Sequence, residues 1–267
     1  MSAANRGRRR FLQESLVGLP LIAQGAGAAA SGTRAAGPLR VVCVGGHPDD
    51  PESGCGGTLA RYAAAGHSVT IVYLTRGERG IEGKSLDEAA AIRTREAEQA
   101  CRILGASPRF AGQIDGATEF NAQQIDRMTD LLKTERPDVL LTHWPIDTHR
   151  DHQVASLLTM RAWLALGQTL PLYFFEVNAG HQTLAFRPTD YLDITPVADT
   201  KRRALVAHES QDGAAIDRNH HDPMARFRGR EIGVTFAEAF VRLSRATAGS
   251  FLPGLGSVPG TVKNVKE

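Results

Sequence analysis

Three short polar clusters hold the side chains of this sequence that could do chemistry together. The first is Gly46-His47-Pro48-Asp49-Asp50-Pro51-Glu52, followed by Gly54-Cys55-Gly56-Gly57. The second is Thr75-Arg76-Gly77-Glu78-Arg79-Gly80. The third is His143, then Asp147-Thr148-His149-Arg150-Asp151-His152. Imidazole with carboxylate is the donor set of a borderline metal such as zinc, which at catalytic sites commonly takes three protein ligands and keeps one position for water. Adjacent acids such as Asp49 and Asp50 are costly to hold together unless a cation compensates them or one carries a proton. The economical division is that one ligates a metal and the other handles protons. Taken singly, the two acids also read as turn and N-cap residues, and His149 or His152 as a surface or capping histidine. The pairing of His47-x-Asp49-Asp50 with His149-x-Asp151-His152 is what points to a metal. The glycines after His47 form no Gly-x-Gly-x-x-Gly and carry no phosphate-loop lysine, so nucleotide binding is not indicated. No Gly-x-Ser-x-Gly elbow occurs, which argues against a serine hydrolase.

The elements that must position these clusters alternate. Leu39–Val44 is a short apolar run that fits a buried strand ending at Gly45-Gly46. Gly54–Gly66 has helical spacing, and Ser68–Leu74 is a β-branched second strand. Leu86–Leu104 predicts a long helix closed by Gly105, and Asn121–Thr134 another with Asn121 as its cap. Pro137–Thr142 is a third strand, Asp151–Leu166 a helix and Leu170–Val177 a fourth strand. Tyr191–Thr195 reads as a short edge strand, with helices over Val197–His208 and near Gly233–Arg245. Strands alternating with helices of this length mean crossover units on a mostly parallel sheet covered on both faces. The polar clusters follow strands one, two and three, where open α/β sheets gather ligand groups.

The chain has 267 residues with 31 Lys+Arg against 29 Asp+Glu, a formal net charge of +2. That balance hides an N-terminal segment of different character. Residues 1–30 carry Arg6, Arg8, Arg9 and Arg10 with one glutamate, then a mildly apolar stretch ending at Ala28-Ala29-Ala30. A basic region, a short apolar region and a small-residue site make a signal peptide, too short and weakly apolar to span a membrane. Arg8-Arg9-Arg10-Phe11-Leu12-Gln13 resembles the twin-arginine signal, which implies a transient encounter with that export machinery and a periplasmic or extracellular destination. Without residues 1–30 the chain has 27 basic and 28 acidic residues, a net charge of −1, and no basic stripe for nucleic acid. Cys43, Cys55 and Cys101 are too few for a disulfide scaffold. Residues 38–248 read as one catalytic domain, and the Gly/Pro-containing residues 249–267 as an extended tail.

His47-Pro48-Asp49-Asp50-Pro51-Glu52 with Gly56-Gly57-Thr58-Leu59, and Thr75-x-Gly77-Glu78-x-Gly80, resemble the signature of the LmbE/PIG-L family of zinc-dependent N-deacetylases. Arg95-Glu96-x-Glu98, Leu104-Gly105, His149-x-x-His152, His208-x-Ser210-Gln211 and Glu238-Ala239-Phe240 follow in the family's order. The resemblance implies a Rossmann-like three-layer α/β fold and hydrolysis of the acetamide of an N-acetylglucosamine moiety, in a small amino-sugar conjugate or an oligosaccharide. It implies one zinc ion per chain, with His47, Asp50 and His152 as ligands and Asp49 as general base. His149 corresponds to the histidine that polarises the carbonyl or protonates the leaving amine, expected here in protonated form. The family's substrate arginine would be Arg76 or Arg79. His208 falls where members place a residue near the site mouth, with a buried histidine anchoring a C-terminal helix as the alternative. Glu52 or Asp151 would orient a ligand imidazole. Some members place a tyrosine just before the third-cluster histidines; this sequence departs from that pattern with Asp147 and Thr148.

Two other readings keep the same residues. One is a different mononuclear metal hydrolase acting on an ester or a non-sugar amide. The other is a secreted carbohydrate-binding protein without activity. Specificity would come from the segments Ile81–Asp87, Ala179–Arg187 and Asp212–Arg230, the last carrying Asn219-His220-His221-Asp222, read as a polar lid before a substrate loop or a second metal site. Phe174, Phe175, Phe186 and Phe227 are candidates for stacking on a sugar, with core packing the default for the first two.

Overall fold

The central strand of the sheet is β1 (Arg40–Gly45), in which the residues after Arg40 form an apolar run buried on both faces. In the computed structural model, which describes residues 37–243, it is followed by α1 (Asp50–Ala64), β2 (Ser68–Tyr73), α2 (Leu86–Leu104), β3 (Ser107–Phe110) and α3 (Ala122–Glu135). Next come β4 (Val139–His143), α4 (Arg150–Ala165), β5 (Leu172–Phe175), β6 (Asp190–Asp193), α5 (Ala198–Val206), α6 (Gly213–Ile216), α7 (Asp222–Ile232) and β7 (Ala237–Leu243). The expected leader (1–30) and tail (249–267) lie outside the described residues. Among the described residues no helix is long and apolar enough to cross a membrane.

The strand order is β3-β2-β1-β4-β5-β7-β6. The first five strands run parallel, and β7 pairs antiparallel with both β5 and β6. Alternation along each strand splits the interior into two cores. Val41 and Cys43 of β1 and Ile71 and Tyr73 of β2 pack with Leu59, Tyr62, Ala97 and Leu104 of α1 and α2. Val42, Val44 and Val72 point the other way, onto Met128 and Leu132 of α3 and Leu158 and Trp163 of α4. The result is a three-layer α/β fold with a mixed, mostly parallel sheet, as the sequence pattern predicts.

The helix predicted over Gly233–Arg245 is instead strand β7, and residues inside the expected loop Asp212–Arg230 form α7. Gly233, in the left-handed region at φ 78°, ends α7, and the chain then turns into the sheet. Ala-Glu-Ala favours helix locally, but Glu238 is nearly fully buried and its contacts lie on α1 and α5. α1 breaks at Cys55 (φ −146°, ψ 17°), which frees the amides that would have continued the helix ladder. Glu238 accepts from the backbone of Gly57 (2.9 Å) and Thr58 (2.7 Å), from the Thr58 hydroxyl (2.6 Å) and from Lys201 (2.6 Å). Glu238→Ala strands a buried ammonium and two amides, and is expected to cost about 3–5 kcal/mol. Urea unfolding measures this; a loss below about 1 kcal/mol, the scale of an exposed ion pair, would contradict the role.

The smaller differences also have local causes. α1 starts at Asp50 rather than Gly54, because Pro51 is pre-set for the first helical turn. β3 is a four-residue edge strand containing Pro108, too short to leave a period-two pattern.

Candidate metal centre

β1 lies between β2 and β4, so the chain's crossovers leave it in opposite directions and a crevice opens at its carboxyl end. The loop after β1 delivers His47, Asp49 and Asp50 into that crevice, and the start of α4 after β4 delivers His149 and His152. Asp50 Oδ2 is the meeting point. It lies 3.1 Å from His47 Nδ1 and 3.2 Å from His152 Nε2, and it accepts the backbone N–H of His47 (2.7 Å). Donors bonded to one tetrahedral ion at 2.0–2.1 Å stand roughly 3.3 Å apart, so these spacings suit a cation held between them.

Each imidazole is backed by acid on its far nitrogen. His47 Nε2 lies 3.1 Å from Asp151 Oδ2 and 3.3 Å from Asp115 Oδ1, and His152 Nδ1 lies 3.3 Å from Asp147 Oδ1. Carboxylates in this position fix the ring and raise ligand basicity. Burial lowers His152, but Asp50 and Asp147 more than offset this and push it up to about 9. His47 is raised in the same way against burial, and Asp50 is held well below the usual carboxylate range by His152 and His143. These charged, buried donors hold protons between them that a divalent cation would displace. The donor set fits a metal. Asp50 is close to both His47 and His152, the expected ligands, and the groups whose ligand atoms all lie within 4.8 Å of one another are His47, His149 and His152; Asp50, His143 and His152; and His47, Asp115 and Asp151.

Asp49 stands beside this cluster. Its backbone is in the left-handed region at φ 109°, which costs about 1–3 kcal/mol for a residue with a side chain. Its carboxylate makes no helix-cap hydrogen bond, so the capping reading does not account for it. Instead, Arg93 of α2 donates to Asp49 Oδ2 at 3.2 Å and also to the carbonyl of Pro48. Gly77 (φ 70°) and Gly80 make room for this guanidinium: a Cβ at either would lie within 2.4 Å of Arg93 Nη1. Burial, opposed by Arg93 and reinforced by Asp50, raises Asp49 to about 6.

His149 caps α4, and its Nδ1 accepts the backbone N–H of Asp151 at 3.3 Å. That amide fixes the ring proton on Nε2. Burial, with His47 and His152 nearby, lowers its pKa, so the expected protonated form is corrected to a neutral Nε2–H donor.

The remaining expectations separate. Arg79 lines the cleft, whereas Arg76 does not: it is half-buried and pairs with Glu78 at 3.2 Å. Asp151 orients His47, whereas Glu52 faces away, accepting from the Tyr73 hydroxyl (2.6 Å) and lying 3.3 Å from His208 Nε2. His208 is fully buried there and off the cleft wall, which corrects the site-mouth placement. The cleft has a volume of about 350 Å³. Asn178 and Gln182 line it beside Gln211, Ile216 and His221, while Ile81–Asp87 does not reach it. Asn219-His220-His221-Asp222 is corrected from a lid: it lies in a π-turn (Asp217–His221) and the first residue of α7, and His221 forms part of the cleft wall. Phe174 and Phe175 are core, and neither Phe186 nor Phe227 lines the cleft.

Similarity to known proteins follows the same residues. The PIG-L family model, described as GlcNAc-PI de-N-acetylase, matches residues 42–163, a stretch containing both histidine motifs. The chain is 31% identical over 189 residues to diacetylchitobiose deacetylase of Thermococcus kodakarensis, covering 64% of this chain and 70% of that one. The chain belongs to the PIG-L family. It is also 29% identical over 209 residues to 4-oxalmesaconate hydratase of Pseudomonas putida, covering 70% and 80% of the two chains. The solved N,N'-diacetylchitobiose deacetylase of Pyrococcus horikoshii superposes with a TM-score of 0.67 at 26% identity, over 80% of this chain and 84% of that one.

In this PIG-L chain four further residues complete the centre: Arg93 and Asp115, which the sequence reading did not single out, and His143 and Asp147, which it placed in the third cluster without a role. Asp115 and Asp147 back the imidazoles and Arg93 holds Asp49. His143 stacks on His152 at 4.1 Å, while its Nε2 accepts the Gly46 amide at 3.0 Å. Arg93 left a usable signal. It sits in the buried stripe of α2, Ala89-Arg93-Ala97-Ala100, where an arginine must be neutralised or hydrogen-bonded.

Proposed function

We propose that the protein is a zinc-dependent N-deacetylase acting on an N-acetylglucosamine-containing substrate, with His47, Asp50 and His152 as metal ligands. The observation that carries this reading is the convergence of His47 Nδ1 and His152 Nε2 on Asp50 Oδ2, with Asp49 beside them but turned to Arg93. Zinc bound there would supply an acidified water and polarise the amide carbonyl. Asp49 takes the proton of the attacking water, ionised and aimed by Arg93. His149 donates its Nε2–H to the oxygen that gains charge, and Asp49 returns its proton to the leaving nitrogen. Asp151 and Asp147 hold the two ligand rings in the tautomer that leaves a lone pair facing inward. Arg79 contacts the substrate from the cleft wall. The reading extends to export through a twin-arginine-like leader, supported by residues 8–13.

Acetate release from N-acetylglucosamine, N,N'-diacetylchitobiose and N-acetylglucosaminyl-inositol, before and after chelation and with zinc restored, tests this. Chelation is expected to abolish release and one equivalent of zinc to restore it; release indifferent to chelator overturns the reading. A second reading is favoured by Arg79 in the cleft and by the similarity to the P. putida hydratase: water addition to an unsaturated dicarboxylic acid. Loss of the conjugated acid's ultraviolet absorbance, without acetate release from any sugar, would select it.

A further inference from the structure

The three cysteines lie in one core, and two of them touch. Cys43 of β1 and Cys55 of α1 hold their sulfurs 3.4 Å apart, and neither residue has any exposed surface. Cys101 is engaged elsewhere: its sulfur lies 3.4 Å from the Tyr73 hydroxyl, which donates to Glu52. The place of the pair gives it a consequence. Cys43 stands two residues before the end of β1, and Cys55 is the residue at which α1 breaks. Between them in the chain lie His47, Asp49 and Asp50. A bond between the two sulfurs would close that stretch into a covalent ring with the metal-binding turn inside it. We propose that Cys43 and Cys55 are a disulfide site, oxidised while the chain folds, whose bond ties the turn carrying His47, Asp49 and Asp50 to the strand and helix that present it.

Closing the pair brings the sulfurs together by about 1.4 Å, down to the length of a disulfide. Cys55 can follow, because its backbone (φ −146°, ψ 17°) is outside helical geometry and not tied into the ladder of α1. The reaction takes a disulfide oxidant such as glutathione disulfide. One cysteine thiolate attacks a sulfur of the oxidant and releases one glutathione thiolate. The second cysteine thiolate attacks the protein sulfur of that mixed disulfide and releases the other. The cysteine pair gives up two electrons and two protons, the oxidant takes the electrons, and the two glutathione thiolates take the protons. In the folded core neither sulfur meets solvent, and burial with Cys43 alongside pushes the Cys55 thiol up. Exchange therefore belongs to the open chain, and the finished bond is shielded by the core. The bond is independent of the reaction performed in the cleft.

The test refolds the full chain from guanidinium into a buffer of reduced and oxidised glutathione, or into a phosphine reductant. Thiol titration of the protein after renewed unfolding is expected to find one thiol per chain from the glutathione buffer, against all three from the reductant. Peptide mapping should place the bond between Cys43 and Cys55. A ring of this size is expected to raise Tm by about 5–10 °C over the reduced protein. Cys55→Ala, refolded in the same two buffers, should keep both of its thiols and show no difference in Tm between them. Three thiols in the oxidised wild type, a bond that includes Cys101, or glutathione retained on any cysteine overturns the site. So does a Cys43–Cys55 bond that leaves Tm unchanged or lowers it. Should Cys55→Ala fail to fold, the thiol count and peptide map of the wild type decide alone. None of these readouts uses acetate release, so the disulfide and the deacetylase reading stand or fail separately.

Discussion

Asp49→Ala should leave the protein folded and able to bind one zinc ion, yet lower turnover by about 10²–10⁴-fold, the usual contribution of a positioned general base. The separation of the two effects is the point of the experiment. Asp50 is tied to both imidazoles, whereas Asp49 Oδ2 is engaged by Arg93. Removing Asp49 therefore takes away the proton acceptor and leaves the metal donors in place. Alanine keeps a Cβ and therefore the strain at φ 109°, and the buried Arg93 loses its carboxylate partner, so the variant should also be somewhat less stable than the wild type. Elemental analysis and kcat, measured on the same preparation, check both halves. Full activity would remove Asp49 from the mechanism, and zinc lost together with activity would make it a ligand. His47→Ala is the matched control: it removes a converging nitrogen and should lose zinc and activity together.

The part of the site that was legible in the sequence is the part encoded in consecutive residues. His47, Asp49 and Asp50 occupy one turn, and His149 and His152 one turn of helix, so residue spacing was enough to place them together. What completes the site arrives through tertiary topology. Arg93 reaches Asp49 from a helix 44 residues away, and Asp115 reaches His47 from the loop after β3, a strand too short and polar to show a period. Asp147 was visible in the third cluster and as a departure from a familial tyrosine, but without a role until α4 placed His152 against it. The misread helix at Gly233–Arg245 has the same cause. Ala-Glu-Ala-Phe favours helix until Glu238 is needed by amides that the break in α1 exposes. Local propensity yielded to a hydrogen-bond requirement set 180 residues earlier in the chain.

The second large effect should come from residues that touch no substrate. His47 presents Nδ1 to the metal position only while its Nε2 keeps a proton, and the acids on that side hold it there. Asp151 is the stronger partner. Its Oδ2 takes His47 Nε2 at 3.1 Å and the Gly116 amide at 2.7 Å, and its Oδ1 takes the Thr118 hydroxyl at 2.6 Å. These bonds and His47 hold its pKa far below that of a free carboxyl, against the cost of burial. Asp151→Asn can keep the bond to His47 by presenting its amide oxygen, because the Thr118 hydroxyl can turn to accept the amide nitrogen. Only the charge is then lost. Asp115, 3.3 Å from the same nitrogen, still supplies one. The single variant should therefore weaken zinc about tenfold, the low end of the range for such outer carboxylates, and Asp115→Asn with Asp151→Asn about a hundredfold. Asp147→Asn should cost more than either single change, since Asp147 is the sole carboxylate recorded against His152 Nδ1 among the described residues. Zinc affinity by chelator competition separates these cases, with saturating zinc restoring most of the activity. A double variant no weaker than Asp151→Asn would mean that Asp115 serves only the Arg79 backbone amide, to which it is also bonded at 3.1 Å.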